Sequence, residues 1–120
     1  MEKKIMSDYT LFCTPEQTKK ALGLGAPIEK KEIQLCDNAK HFFWYDGFYY
    51  NYPTAEEMIG FLEEQGILVS ILYGYIVRYK WTYDLDSEEY IDYKRGEFTS
   101  REEATLAAID KALDYLSNNK

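Results

Sequence analysis

The chain has 120 residues, 46% hydrophobic and 29% charged, with a net charge of −7 and an isoelectric point of about 4.7. That is the length and composition of one globular domain, and it excludes a disordered chain. The acid excess repels DNA and RNA, since the basic residues are scattered (Lys19-Lys20, Lys30-Lys31, Lys94-Arg95), and no apolar stretch is long enough to cross a bilayer.

Residues 1–10 are polar and are expected to be flexible. Met1 to Met6 carries two lysines with no apolar run behind them, so no signal peptide is read and a cytoplasmic location is expected. Thr14-Pro15-Glu16-Gln17 opens a short first helix: threonine caps, proline takes the first helical position, and glutamine closes the capping box. Gly23 and Gly25 end it. Glu32 to Cys36 alternates, with Ile33 and Leu35 on one side, and predicts a short strand before an Asp37-Asn38 turn.

The clearest local signal follows. His41-Phe42-Phe43-Trp44-Tyr45 and Phe48-Tyr49-Tyr50-Asn51-Tyr52 flank Asp46-Gly47. Asp-Gly between two strand-like runs predicts a two-residue type I′ hairpin, because both turn residues need positive φ. The register that follows pairs Tyr45 with Phe48, Trp44 with Tyr49 and Phe43 with Tyr50. One face then carries His41, Phe43, Tyr45, Phe48, Tyr50 and Tyr52, and the other Phe42, Trp44 and Tyr49. Both faces are aromatic, so the hairpin is either sandwiched or leaves a patch exposed.

Pro53 ends the hairpin. Thr54-Ala55-Glu56-Glu57 is a second capping box, and Met58, Ile59 and Leu62 recur at helical spacing up to a Gly66 cap. Ile67 to Tyr73 predicts a buried strand, and Gly74 a bulge or turn. Tyr75 to Leu85 predicts a second strand, with Tyr75, Val77, Tyr79, Trp81 and Tyr83 on one face and a wetter face of Ile76, Arg78, Lys80 and Thr82. Asp84 to Glu89 reads as an acidic turn, and Tyr90 to Phe98 as a third strand that Gly96 could bend. Ser100-Arg101-Glu102-Glu103 caps a final helix to about Ser117, with Leu106, Ile109, Leu113 and Leu116 along its seam.

Few residues carry a chemical signature. Asp84, Asp86, Glu88 and Glu89 fail the EF-hand pattern, whose sixth and twelfth positions would be Glu89 and Arg95 in place of glycine and glutamate. Glu56-Glu57 and Glu63-Glu64 are adjacent on a helix, so their members diverge, and they read as a solvated face. His41 is the sole histidine and has no nucleophile tied to it by sequence. Gly23-Leu24-Gly25 follows a helix, whereas a dinucleotide loop follows a strand. Cys13 and Cys36 read as two buried thiols rather than a disulfide.

From the second helix onward the order helix, three strands, helix resembles the double-stranded-RNA-binding domain. That family binds RNA through a basic cluster at the start of its last helix. Ser100-Arg101-Glu102-Glu103-Ala104 stands there in this chain, so the resemblance implies a fold and no RNA binding. Tyr52-Pro53-Thr54, Phe61-Leu62-Glu63-Glu64, Gly66-Ile67, Glu102-Glu103-Ala104 and Ala112-Leu113 give a broader resemblance. It covers most of the chain and is to small proteins of Bacteroidales phages, prophages and mobile elements. Those typically carry Gln after Pro-Thr and Trp-Leu-Arg in the helix, which this chain lacks. The resemblance implies a mobile-element origin and assigns no activity, so no functional residue is carried over.

These readings predict an α+β fold. An antiparallel sheet of about five or six strands would have the second and third helices on one face, with a short N-terminal helix and an αβββα C-terminal part. The expected function is non-enzymatic contact with a protein partner or a second copy, through Phe42, Trp44, Tyr49, Tyr45 and Tyr50. A HicB-type antitoxin is the second reading, because the last helix follows three strands, and an enzyme without a recognisable motif is the third. No cofactor, metal, nucleic acid or membrane is expected.

Overall fold

The computed structural model describes residues 11–31, 42–74, 79–88 and 91–118. The elements in chain order are helix α1 (Pro15–Gly23), strands β1 (Lys30–Lys31), β2 (Phe42–Tyr45) and β3 (Phe48–Asn51), helix α2 (Ala55–Glu64), strands β4 (Leu68–Tyr73), β5 (Trp81–Asp86) and β6 (Ile91–Phe98), and helix α3 (Arg101–Asn118). The class is α+β and the C-terminal part runs αβββα, as the sequence predicts.

The capping boxes form where the sequence places them. Thr14 Oγ1 accepts from Gln17 N–H at 3.1 Å while Gln17 Oε1 accepts from Thr14 N–H at 3.1 Å, and Thr54 and Glu57 repeat the exchange at 3.1 and 2.9 Å. The third is altered: Ser100 Oγ accepts from Glu103 N–H, but the Glu103 carboxylate reaches back to the N–H and hydroxyl of Thr99. Helix α2 ends as Gly66 N–H donates to Glu63 O and Ile67 N–H to Leu62 O, with Gly66 at φ 92°, where a side chain would be strained. The same pair of bonds closes α1, from Gly25 to Leu22 and from Ala26 to Ala21.

Among the described residues six strands form two antiparallel sheets of three, ordered β1-β3-β2 and β4-β5-β6, rather than one continuous sheet. The free edge of β3 is taken by β1, with Lys30 opposite Tyr50. The chain then leaves β3 through Pro53, which has no N–H to donate, into α2. Segment 11–13 clips onto this exit: Cys13 N–H donates to Pro53 O at 2.9 Å and Ala55 N–H to Leu11 O at 2.8 Å.

The core sits between α3 and the inner face of β4-β5-β6. Ala104, Ala108, Ile109, Ala112 and Leu113 of α3 are fully buried, as are Leu85 of β5 and Leu62 of α2, with Met58, Ile67 and Tyr83 nearly so. Helix α1 packs on the other side of α3. There Gln17, itself buried, donates through Nε2 to Leu106 O at 2.8 Å, and Lys20 pairs with Asp114. The hydrogen bond from Lys20 to the Asp114 carboxylate, helped by the charge of that carboxylate, raises the Lys20 pKa against the opposing effect of burial. An exposed pair of this kind fixes orientation more than it stabilises.

Three details of β5 depart from the sequence reading. Tyr79 has φ 67° and is exposed, so it stands in a turn that Gly74 N–H closes onto Lys80 O, and the strand begins at Trp81. Asp84 and Asp86 belong to the strand rather than to the acidic turn. Thr82 is wholly buried, though the alternation assigns it to the wetter face. It sits at an irregularity where the pairing steps from Tyr83–Lys94 to Trp81–Phe98, so that residues 95–97, with Gly96 among them, oppose Thr82 alone. The expected strand at Glu32–Cys36, the turn after it, the flexible stretch 1–10 and residues Tyr75 and Val77 lie outside the described residues.

Leu113→Ala should cost about 3 kcal/mol, because a buried leucine in a closed core leaves a cavity. Thr54→Ala should cost about 1 kcal/mol through the lost cap. Urea unfolding measures both, as a lower midpoint at unchanged slope.

Candidate functional site

The β2–β3 hairpin forms as its residues dictate. Asp46 and Gly47 take φ 50° and 87°, the type I′ signature, and the register is Tyr45–Phe48, Trp44–Tyr49, Phe43–Tyr50 and Phe42–Asn51. Cross-strand partners share a face, so Phe43, Tyr45, Phe48 and Tyr50 lie on one side and Phe42, Trp44 and Tyr49 on the other.

On the first side Phe43 stacks on Tyr45 with centroids 6.1 Å apart, tilts against Tyr52 at 5.9 Å, and Tyr45 meets Tyr50 edge-on at 6.4 Å. Lys30 of β1 sets its Nζ 3.9 Å from the centre of the Phe48 ring, a cation–π contact that closes this end of the ladder. On the second side Trp44 and Tyr49 pack at 5.0 Å. None of these rings belongs to the buried cluster or packs against it. Trp44 is 57% exposed and Phe48 48%, while Phe42, Phe43, Tyr45, Tyr49 and Tyr50 are half-buried, with strand β2 lying near helix α1. The hairpin is thus a plate of mutually packed rings outside the buried cluster. The five residues named from sequence all lie on it, Phe42, Trp44 and Tyr49 on one side and Tyr45 and Tyr50 on the other. Sequence reasoning did not single out Phe48 or Lys30. The strand alternation gave the face of Phe48, but its exposure depends on where the core ends.

The other candidates resolve into structure. Glu57 is committed to its helix cap. The members of Glu56-Glu57 and Glu63-Glu64 are exposed along α2. Among the described residues no group of three or more histidine, cysteine, aspartate or glutamate side chains gathers as a metal would require. Within them too, no helix is long and apolar enough to cross a membrane. His41 and Cys36 lie outside the described residues. Cys13 is buried beneath the 53–55 clip. Its thiol faces Thr54 O at 3.8 Å, and burial, with the nearby Glu57 carboxylate adding to it, pushes its pKa up to about 12. A thiol held neutral in this way is a poor nucleophile.

Comparison of the chain with protein-family models, curated proteins and solved structures finds no match.

The thiol carries a pH prediction. Between the ordinary thiol pKa near 9 and the folded value of about 12, the unfolded chain loses a proton that the folded chain keeps. Stability should therefore fall as pH rises above about 9, by up to about 1.4 kcal/mol per unit, and level off near 12. Replacing Cys13 with serine or alanine should flatten that part of the profile. Iodoacetamide at pH 8 should modify Cys13, located by mass spectrometry, only as fast as the chain opens.

Proposed function

We propose that this protein is a non-enzymatic interaction module that binds a protein partner through the aromatic hairpin. One observation carries the reading: a set of rings stands outside the buried cluster, with Trp44 and Phe48 the most exposed of them. Aromatic side chains on a type I′ hairpin are nearly rigid before contact, so binding costs little ordering entropy while each ring offers a large apolar area. Tryptophan and tyrosine dominate interface hot spots for this reason. The side of Phe42, Trp44 and Tyr49 is the better docking face, because Lys30 already covers part of the other. The resemblance to small phage and mobile-element proteins supports an origin in such an element, and the genes beside this one are the check on that origin.

The test is capture of host proteins from lysate by the whole chain and by Trp44→Ala, with light scattering on both. Trp44 lies outside the core, so the substitution should change stability by less than about 1 kcal/mol. It should nonetheless weaken a specific partner about thirtyfold, the effect of a hot-spot residue. A partner held equally by both forms would overturn the reading. A whole-chain dimer that Trp44→Ala converts to monomer would replace the partner with a second copy.

A further inference from the structure

A groove of about 350 Å³ opens between the loop 26–29 and helix α2, at the Asn51 end of β3. Pro27, Ile28, Pro53 and Phe61 supply apolar walls, and Glu29, Glu57 and Glu64 supply carboxylates, with no lysine or arginine among the described residues that line it. On α2 the lining residues Glu57, Gly60, Phe61 and Glu64 recur at three- and four-residue steps and so share one face. The opposite wall is held in place. Ala26 N–H donates to Ala21 O, Asn51 N–H to Glu29 O at 3.1 Å, and Asn51 Nδ2 to Glu29 Oε1 at 3.0 Å. Gly60 leaves the groove open, since a Cβ built there would meet nothing within 4 Å.

We infer that this groove is a second docking site, which takes an extended protein segment carrying lysine or arginine between apolar residues. Charge complementarity selects the occupant. The carboxylates of Glu29 and Glu64, with the charge of the cap-bound Glu57 beside them, attract a cation whose flanking side chains fill the apolar trough, and they repel acidic segments. A second copy of a chain of net charge −7 is disfavoured for the same reason. The site shares Asn51 with the hairpin strand but none of the hairpin's rings, so the two readings fail separately.

The probe is a short capped peptide of alternating leucine and lysine, titrated into the isotope-labelled whole chain and followed by amide chemical shifts. Its counterpart with glutamate for lysine is the control. The lysine peptide should move the amides of residues 26–29 and 57–64, leave those of 42–49 in place, and weaken at least about fivefold when salt rises from dilute buffer to half-molar. The double variant Glu29→Lys with Glu64→Lys should bind about tenfold more weakly, and both positions lie outside the helix cap. Gly60→Leu, which fills the trough where a side chain has room, should abolish the shifts while the thermal midpoint holds. Shifts centred on the hairpin, equal shifts with the glutamate peptide, or undiminished binding by folded Gly60→Leu would each overturn the inference.

Discussion

The structure depends on the burial of one face of α3. Ala104, Ala108, Ile109, Ala112 and Leu113 lose all contact with water, and the other core elements are placed by what they lay against that face or beside it. The alanines let neighbouring backbones come close, while Ile109 and Leu113 fill the space between, each burial worth about 2 kcal/mol. Sheet β4-β5-β6 covers α3 on one side through Leu85 and Tyr83, α2 adds Met58 and Leu62, and α1 closes the other side through Gln17. A chain this short has one such core. Three helices and one sheet face fill it, and among the described residues the hairpin rings are not part of it.

That limit is what gives the molecule a surface of interest. An aromatic hairpin packed into a core would be structural and silent. Here the rings pack on one another, Trp44 on Tyr49 and Phe43 on Tyr45, while Trp44 and Phe48 stay exposed. Lys30 over Phe48 shows how such a ring accepts a cation, a contact between a group at the surface and a ring face still open to it. At its far end the hairpin strand supplies Asn51, which fixes Glu29 at the mouth of the acidic groove. Strand β3 therefore connects an apolar surface built by ring packing with a charged one framed by a hydrogen-bonded loop and a capped helix.

The features legible in the sequence are those decided within a few residues. Thr14 with Gln17 and Thr54 with Glu57 form their boxes because the partners are three positions apart and need no tertiary help. Asp46-Gly47 sets the hairpin register because only a tight turn with two positive φ values joins the strands. Where a longer-range choice existed, the local reading weakened. Glu103 found Thr99 a better partner than its own cap residue. Tyr79 looked like one more strand aromatic, yet the turn between β4 and β5 took it into the left-handed region. Thr82 looked wet by alternation, but the irregular pairing with β6 buried it.

By itself the sequence determined the three helices, two of their three capping boxes, the hairpin turn and the facing of the hairpin rings, because backbone geometry and side-chain chemistry settle these between near neighbours. It also determined that the surface would be acidic, since charge is a sum over residues. Only the tertiary structure decided that six strands split into two sheets, that the rings lie outside the core, and that a loop and a helix far apart in sequence enclose an acidic groove. Those outcomes follow from competition for a single buried volume. No local pattern reveals which apolar face wins that competition until every element is packed at once.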